Sequence, residues 1–429
     1  MTSGLVWPVR LRPDEQSMEQ EGFRHGDQVK PSDFPRDEKF RDPSTSPFRD
    51  EQGAYHVFSY RDVKRVLMNS DGAFSRDPSP WLPPGVRHMA LEFMWTAEPF
   101  TLDGDEGRHD ALRAVVEPWF RVRAVRTMEP VIREVARELL AGIVDKGSGR
   151  FDLARELAYR MSIRVICRLV GIELEQEQFL REKLDEFSQS GSYDRIPRQW
   201  DLEAYFWELV AKRLARPRDE LLDVLVAAWS EGRLSDREML GYIMGFVAAG
   251  TDTTGTSLAN AFSLLAEFGY LEQVRNNLED REALGRAVEE ILRFGTPFPV
   301  KPLFVLKDVA FGRLEVPKGS VLNAWYVAAN RDPAVNGGVQ QSDPNVFDPS
   351  RSPNRHLGLG YGRHYCLGGD LARLETWILL QEALRCLPGL RMDDTMPFNR
   401  YAGITDNVTQ AHFEFDQRGA ERIARGGPA

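Results

Sequence analysis

The run His356-Leu357-Gly358-Leu359-Gly360-Tyr361-Gly362-Arg363-His364-Tyr365-Cys366-Leu367-Gly368-Gly369 sets one cysteine among five glycines. Glycines let a backbone pass close to a flat macrocycle and aim amide N–H groups at a sulfur. A helix expected from about Asp370 would put its positive end behind Cys366 and favour thiolate over thiol. The combination suits a metal-bound sulfur. The plainer alternative is a buried free cysteine in a glycine-rich turn. Cys167, in the amphipathic run Ile163-Arg164-Val165-Ile166-Cys167, reads as a core residue, and so does Cys386.

A second segment, Ala249-Gly250-Thr251-Asp252-Thr253, sits inside a long helical pattern. Ser235 with Glu238 three residues later forms a capping-box signature, and the helix it opens should run for about thirty residues. Tyr242, Phe246, Ala249 and Thr253 fall on one face of it. The Thr253 hydroxyl has an ordinary use as well, bonding the carbonyl four residues back.

The elements around these segments are mostly helical from Arg108 to Leu292. The spacing predicts helices near 108–140, 153–170, 175–188, 198–215, 218–230, 235–268 and 280–293. Strands are expected at Ala54–Phe58, Leu303–Val309, Ser320–Val327 and Ala411–Phe415, with a short helix over Tyr60–Met68. Residues 1–48 read as an arm laid over the surface, and 49–429 as a single domain. The loop from Asp77 to about Asp105 carries Trp81, Phe93, Met94 and Trp95, too apolar for a purely solvated connector. The fold class is mainly α, with a long central helix and small peripheral β-sheets.

Bulk properties exclude several functions. The chain has 429 residues, 42% hydrophobic and 28% charged, as a folded globular protein does. A formal net charge of -10 leaves no general excess of Lys and Arg to neutralise phosphates, so duplex nucleic acid is not an expected partner. Met1 to Lys30 lacks the apolar centre of a signal peptide. The apolar run Tyr242–Ala249 is far short of the roughly 20 residues that span a bilayer. Three cysteines do not make a disulfide framework. The expectation is a cytoplasmic protein with no membrane association.

From about residue 50 to its end the chain resembles the cytochrome P450 family, and four motifs match in order. Gly360, Gly362, His364, Cys366 and Gly368 match the heme-binding loop. Ala249 to Thr253 match the oxygen-activating segment of the central helix. Glu290 and Arg293 match the Glu-x-x-Arg pair, and His109 and Arg113 match an early helix whose basic residues hold a heme propionate. The resemblance implies heme b (iron protoporphyrin IX) bound through Cys366, whose thiolate pushes electron density onto the iron and favours O–O cleavage. His109 and Arg113, four apart on one helix face, would hold one propionate, and His364 the other. Ala249 and Gly250 would leave room for dioxygen, and Asp252 and Thr253 would relay protons to it. Glu290 and Arg293 would form a structural ion pair. Substrate contacts would come from the loop containing Trp95, from Phe246 and Ala249, from Phe298 and Val300, and from the turn Gly403-Ile404-Thr405.

The sequence departs from the family pattern in places. Leu359 stands where an aromatic residue usually precedes the cysteine by seven. Leu303 stands at an expected propionate arginine, for which Lys301 is the substitute within reach. Val346 stands at a position that is often basic, which leaves the third partner of Glu290 and Arg293 open.

The implied reaction is monooxygenation of a mostly hydrophobic small molecule, free or bound to a carrier protein, in a tailoring or catabolic hydroxylation or epoxidation. Electrons would derive from NAD(P)H through a separate ferredoxin and ferredoxin reductase. Arg121, Arg123, Arg126, Arg363 and Arg373 offer a basic docking face. A peroxide-driven heme-thiolate enzyme and a non-catalytic docking domain are the alternatives. Retention of Asp252 and Thr253 speaks against the first, and retention of Cys366 and Thr253 against the second.

Overall fold

The computed structural model describes residues 38–77, 106–189, 200–337, 343–402 and 405–426. Most of the expected arm, the loop holding Trp95, and the turn residues Gly403 and Ile404 lie outside these.

Helix α1 (Tyr60–Met68) starts where the Ser59 hydroxyl accepts from the Asp62 amide, and it buries Val63, Val66 and Leu67 at helical spacing. The single helix expected over 108–140 is instead three: α2 (Glu106–Phe120), α3 (Val122–Thr127) and α4 (Glu129–Asp145). Pro118 weakens the end of α2, Arg121 is extended, and Pro130 starts α4 where a missing N–H costs nothing. The helix expected over 153–170 begins as a π-helical stretch, Leu153–Ala158, whose first amides are capped by Asp152, and continues as α5 (Tyr159–Val170). Then come α6 (Glu177–Gln189), α7 (Trp200–Ala215), α8 (Leu221–Ser230), the 32-residue central helix α9 (Asp236–Glu267), α10 (Leu271–Arg275) and α11 (Arg281–Phe294). The capping box at Ser235 and Glu238 is present. Short helices α12 (Tyr326–Ala329) and α13 (Pro333–Asn336) precede α14 (Gly369–Cys386) and α15 (Gln417–Ala424).

The strands are β1 (Phe48–Arg49), β2 (Tyr55–Val57), β3 (Phe74–Ser75), β4 (Arg150–Asp152), β5 (Val300–Val305), β6 (Val309–Phe311), β7 (Leu314–Val316), β8 (Val321–Trp325), β9 (Arg391–Met392), β10 (Asn399–Ala402), β11 (Asp406–Gln410) and β12 (His412–Glu414). A five-stranded sheet has the order β1-β2-β8-β5-β3, with β2 and β8 parallel and the other pairs antiparallel. The strand expected over Leu303–Val309 is therefore parts of two, split at Leu306 to Asp308. The stretch Ser320–Val327 turns helical at Tyr326. The hairpin β10–β11 was not among the expected elements.

Helices form the larger core, and the sheet covers a smaller one around Val57, Val66, Leu303 and Leu322. Helix α9 runs through the larger core, buried from Glu238 to Val247 and again from Thr254 to Leu265. Between these, only Thr251 of Ala248–Thr253 is buried. Helix α5 crosses α9 closely at two glycines. A β-carbon at Gly250 would come within 2.9 Å of the Ile166 side chain, and one at Gly255 within 2.5 Å of the Tyr159 ring. Ser162 Oγ donates to the Thr251 carbonyl at 3.0 Å, fixing the crossing from one side.

Candidate heme-thiolate site

The loop before Cys366 turns at Gly360 and Gly362, whose φ values of 75° and 74° lie in the left-handed region that residues with a β-carbon seldom adopt. The Cys366 amide donates to the Leu359 carbonyl at 2.9 Å, closing the turn. Leu359 packs against the helical core in place of the aromatic residue, and it is close to Gly369 at the start of α14.

Cys366 is exposed, yet burial is the largest influence on its thiol and pushes its pKa up. The two facts agree if the sulfur lies deep within the protein and faces an internal opening. The Gly368 amide, Arg373 and Arg113 pull the other way and favour the thiolate. A β-carbon at Gly368 would meet no protein atom within 4 Å, so the chain is open two residues after Cys366. Among the described residues no group of three or more His, Cys, Asp and Glu could hold a metal ion. A single sulfur in a loop turned by glycines fits a planar prosthetic group bound through Cys366.

Helix α2 brings two expected residues to this loop. Arg108 anchors the helix by pairing with Glu238 at the start of α9, its Nε donating at 2.6 Å. His109, 2% exposed, sets its ring edge-on to His364 with centroids 4.5 Å apart. One turn later Arg113 Nη1 donates to the carbonyls of Arg363 and Tyr365 at 3.3 and 3.2 Å. His109, Arg113, His364 and Cys366 thus converge on one loop. Lys301 and Leu303 lie two apart on β5, Leu303 buried in the sheet core and Lys301 half-buried.

On α9, Ala249 is exposed, and Asp252 and Thr253 are half-buried within the uncovered stretch. Thr253 Oγ1 donates to the Ala249 carbonyl at 2.6 Å, so its own hydrogen is used within the helix and its lone pairs face outward as acceptors. Gly250 is explained by the crossing with Ile166; the space expected beside it is taken there by α5. Phe246 is buried between Phe120 and Tyr242, with ring centroids at 5.3 and 5.5 Å. Phe298 is half-buried at the edge of the sheet core. Val300, expected at substrate, instead packs with Phe58, Trp325 and Val327 in a small core of its own.

Glu290 and Arg293 are fully buried and joined by two hydrogen bonds of 2.7 Å. Their open third partner is Arg351, also buried, with Nε 3.3 Å from Glu290 Oε2. Glu290 also accepts from the Asp348 amide and from Asn354 Nδ2, at 2.8 and 2.9 Å. Arg293 and Arg351 donate to carbonyls at Asn330, Pro344, Asn336 and Asp343. The irregular segment before the cysteine loop is therefore organised by one buried carboxylate and two guanidinium groups.

A neighbouring network was missed in the sequence. Glu289 accepts from Arg373 Nε at 2.5 Å and bonds His356 Nε2 at 2.8 Å, while Arg373 Nη1 donates to Tyr365 Oη at 3.0 Å. Burial alone raises the Glu289 pKa, but the bonds from His356 and Arg373 outweigh it and bring the carboxyl to about 2. The glutamate beside Glu290 was its only sequence signal. Arg373, expected on a docking face, is thus committed to holding α14 and the cysteine loop to α11. Arg121, Arg123, Arg126 and Arg363 remain exposed, the first three at or on α3, which packs on α14.

The sequence profile of the family Cytochrome P450 matches residues 175–388. The erythromycin C-12 hydroxylase of Saccharopolyspora erythraea is 32% identical over 363 residues, 81% of this chain and 85% of that protein. The mycinamicin IV hydroxylase/epoxidase of Micromonospora griseorubida is 33% identical over 362 residues, 81% of this chain and 84% of that protein. The crystal structure of a post-tailoring hydroxylase involved in himastatin biosynthesis superposes with a TM-score of 0.74 at 28% identity, covering 91% of this chain and 100% of that one.

Proposed function

This chain belongs to the cytochrome P450 family, and from that premise we propose that it is a monooxygenase placing one atom of dioxygen into a mostly hydrophobic metabolite, in a tailoring hydroxylation or epoxidation. The observation that carries the proposal is Cys366, exposed in a loop turned by Gly360 and Gly362, with α14 directly behind it. Heme b held there would supply the activation of dioxygen. The chain's own part is to hold and shield. The Gly368 amide and the start of α14 stabilise the sulfur as thiolate. His109, Arg113 and His364 supply donors for carboxylates at the edge of the group.

Asp252 and Thr253 lie in the uncovered stretch of α9, where Thr253 accepts a hydrogen bond and Asp252 passes a proton inward. Ala249 leaves room for the reacting molecule. Phe298, half-buried at the edge of the sheet core, is the substrate contact in this reading. Among the described residues no helix is long and apolar enough to cross a membrane. Electrons come from a separate ferredoxin, received on the exposed arginines Arg121, Arg123, Arg126 and Arg363. The hydroxylase names of the relatives favour a secondary metabolite as substrate.

The test is the carbon monoxide difference spectrum of the reduced protein. The parent, Cys167→Ser and Cys386→Ser should show the strongly red-shifted thiolate band, and Cys366→Ser should lose it while keeping its helical content. A band that survives Cys366→Ser overturns the assignment. Turnover with NADH and a ferredoxin system, compared with turnover on peroxide alone, separates the monooxygenase from the peroxide-driven alternative.

A further inference from the structure

Asn260 lies on α9 two turns beyond Thr253, on the same face, and is 1% exposed. Both ends of its amide are engaged. Oδ1 accepts from Arg400 Nη2 at 2.7 Å, and Nδ2 donates to the Gly295 carbonyl at 2.9 Å. Arg400 belongs to β10. Gly295 ends α11 and leads through Thr296 to Phe298. The approach depends on glycine at 295, since a β-carbon there would come within 3.1 Å of Asn260 Cβ and 2.9 Å of Leu264 Cδ1.

A parallel link lies one turn earlier. Thr256 Oγ1 donates to Asn407 Oδ1 on β11 at 3.0 Å, which leaves it to accept from Tyr159 Oη at 2.9 Å. Both strands of the hairpin are thereby tied to α9. Asn260 joins the hairpin and the 295–298 segment through a single side chain.

We propose that Asn260 is a positioning residue for substrate recognition, setting the spacing between the β10–β11 hairpin, the segment running from Gly295 to Phe298, and the central helix. This rests on the proposed function above, in which Phe298 contacts the substrate, and on the expected substrate contact at the turn between β10 and β11. The amide group is required because one end must accept and the other donate. Aspartate keeps the bond from Arg400 and loses the one to Gly295, while leucine loses both at nearly constant volume. None of these contacts involves the cysteine loop, so the effect falls on recognition and leaves the thiolate unchanged.

The experiment uses the heme-loaded protein with imidazole and 4-phenylimidazole as probes, each titrated by its shift of the Soret band. Hydrogen exchange is followed in parallel over 296–300 and 399–410. Imidazole needs only the metal; the phenyl group also needs the walls. Asn260→Leu should weaken 4-phenylimidazole by about three- to tenfold and leave imidazole within about twofold. Exchange should rise in both segments for Asn260→Leu, in 296–300 alone for Asn260→Asp, and in the hairpin alone for Arg400→Met. An unchanged ratio of the two affinities, or exchange that rises equally everywhere in all variants, would falsify the proposal. If Asn260→Leu does not fold, the opposite exchange patterns of Asn260→Asp and Arg400→Met decide the question. The exchange pattern reports the links whatever ligates the iron. A parent that lacked the thiolate band would therefore count against the proposed function and not against this one.

Discussion

The Thr253 hydroxyl gives its hydrogen to the Ala249 carbonyl at 2.6 Å, which limits what else it can do. It can accept a hydrogen bond from a donor in the site, and it can orient that donor. Thr253→Ala should therefore leave heme loading, the thiolate band and azole binding close to the parent, while product formed per NADH consumed falls and peroxide accumulates. A ratio equal to the parent's under the same redox supply would confine the hydroxyl to helix bonding. Arg351 makes a different kind of prediction. It is buried against Glu290, and its loss leaves a carboxylate with half of its charge compensation removed. Arg351→Met should cost about 3–5 kcal/mol in denaturant unfolding, unlike an exposed arginine such as Arg123, whose replacement should stay within about 0.5 kcal/mol. Equal midpoints for the two variants would contradict the hub role.

Among the elements, the α5–α9 crossing is set by residues without side chains. Gly255→Ala would press a methyl group against the Tyr159 ring, where the β-carbon distance is 2.5 Å, and strain Tyr159 Oη against Thr256. The expected loss is about 1–3 kcal/mol, and Tyr159→Leu in the same chain should recover part of it because the two positions touch. Additive losses in the double variant would show that the ring is not the obstacle. Ala249 and Gly250 were legible as a small pair, but a sequence does not say which neighbour fills the space, and Gly255 carried no signal. The long helix was readable from its capping box and period. The breaks at Arg121 and Met128 were missed although Pro118 and Pro130 signal them, because the apolar period runs on across both prolines. The cysteine loop was readable because its glycines and helix start are local. Arg351 was not, since it reaches Glu290 from 61 residues away across an irregular loop. Nor was Asn260, a polar residue in an apolar stretch whose two partners come from different parts of the chain.

At the scale of the whole molecule, two separate networks should fail in sequence as pH falls. His56 bonds Asp50 through Nε2 at 2.9 Å and accepts from Trp325 Nε1 through Nδ1 at 3.0 Å, which fixes it as neutral. Its ring stacks with Phe48, which with Phe40 holds residues 38–49 onto the sheet. Burial is the largest influence and lowers its pKa below 6.5, with Asp50 opposing. The unfolded chain binds this proton more readily, so the stabilisation is complete above about pH 6.5 and is lost as pH falls through the folded value. Glu289 has its own window. Its folded pKa of about 2 lies below the ordinary 4.5, so its contribution is present above 4.5 and is lost on the way down to about 2. Acidification should therefore loosen residues 38–58 before it disturbs the thiolate band. Hydrogen exchange and the carbon monoxide spectrum, followed together from pH 7 to 3, check the order; simultaneous loss would contradict it.

The buried group of Glu290, Arg293 and Arg351 also bears on how this protein can change over generations. Each of the three is tolerable only while the other two are present, so every one-step substitution among them passes through a chain with an uncompensated charge in its interior. An adaptive path to a new substrate is consequently closed at these positions. It stays open at the half-buried Phe298, where a change alters recognition without leaving a buried ion alone. A randomised library selected for activity on a new compound should return the three codons unaltered and collect its diversity at Phe298.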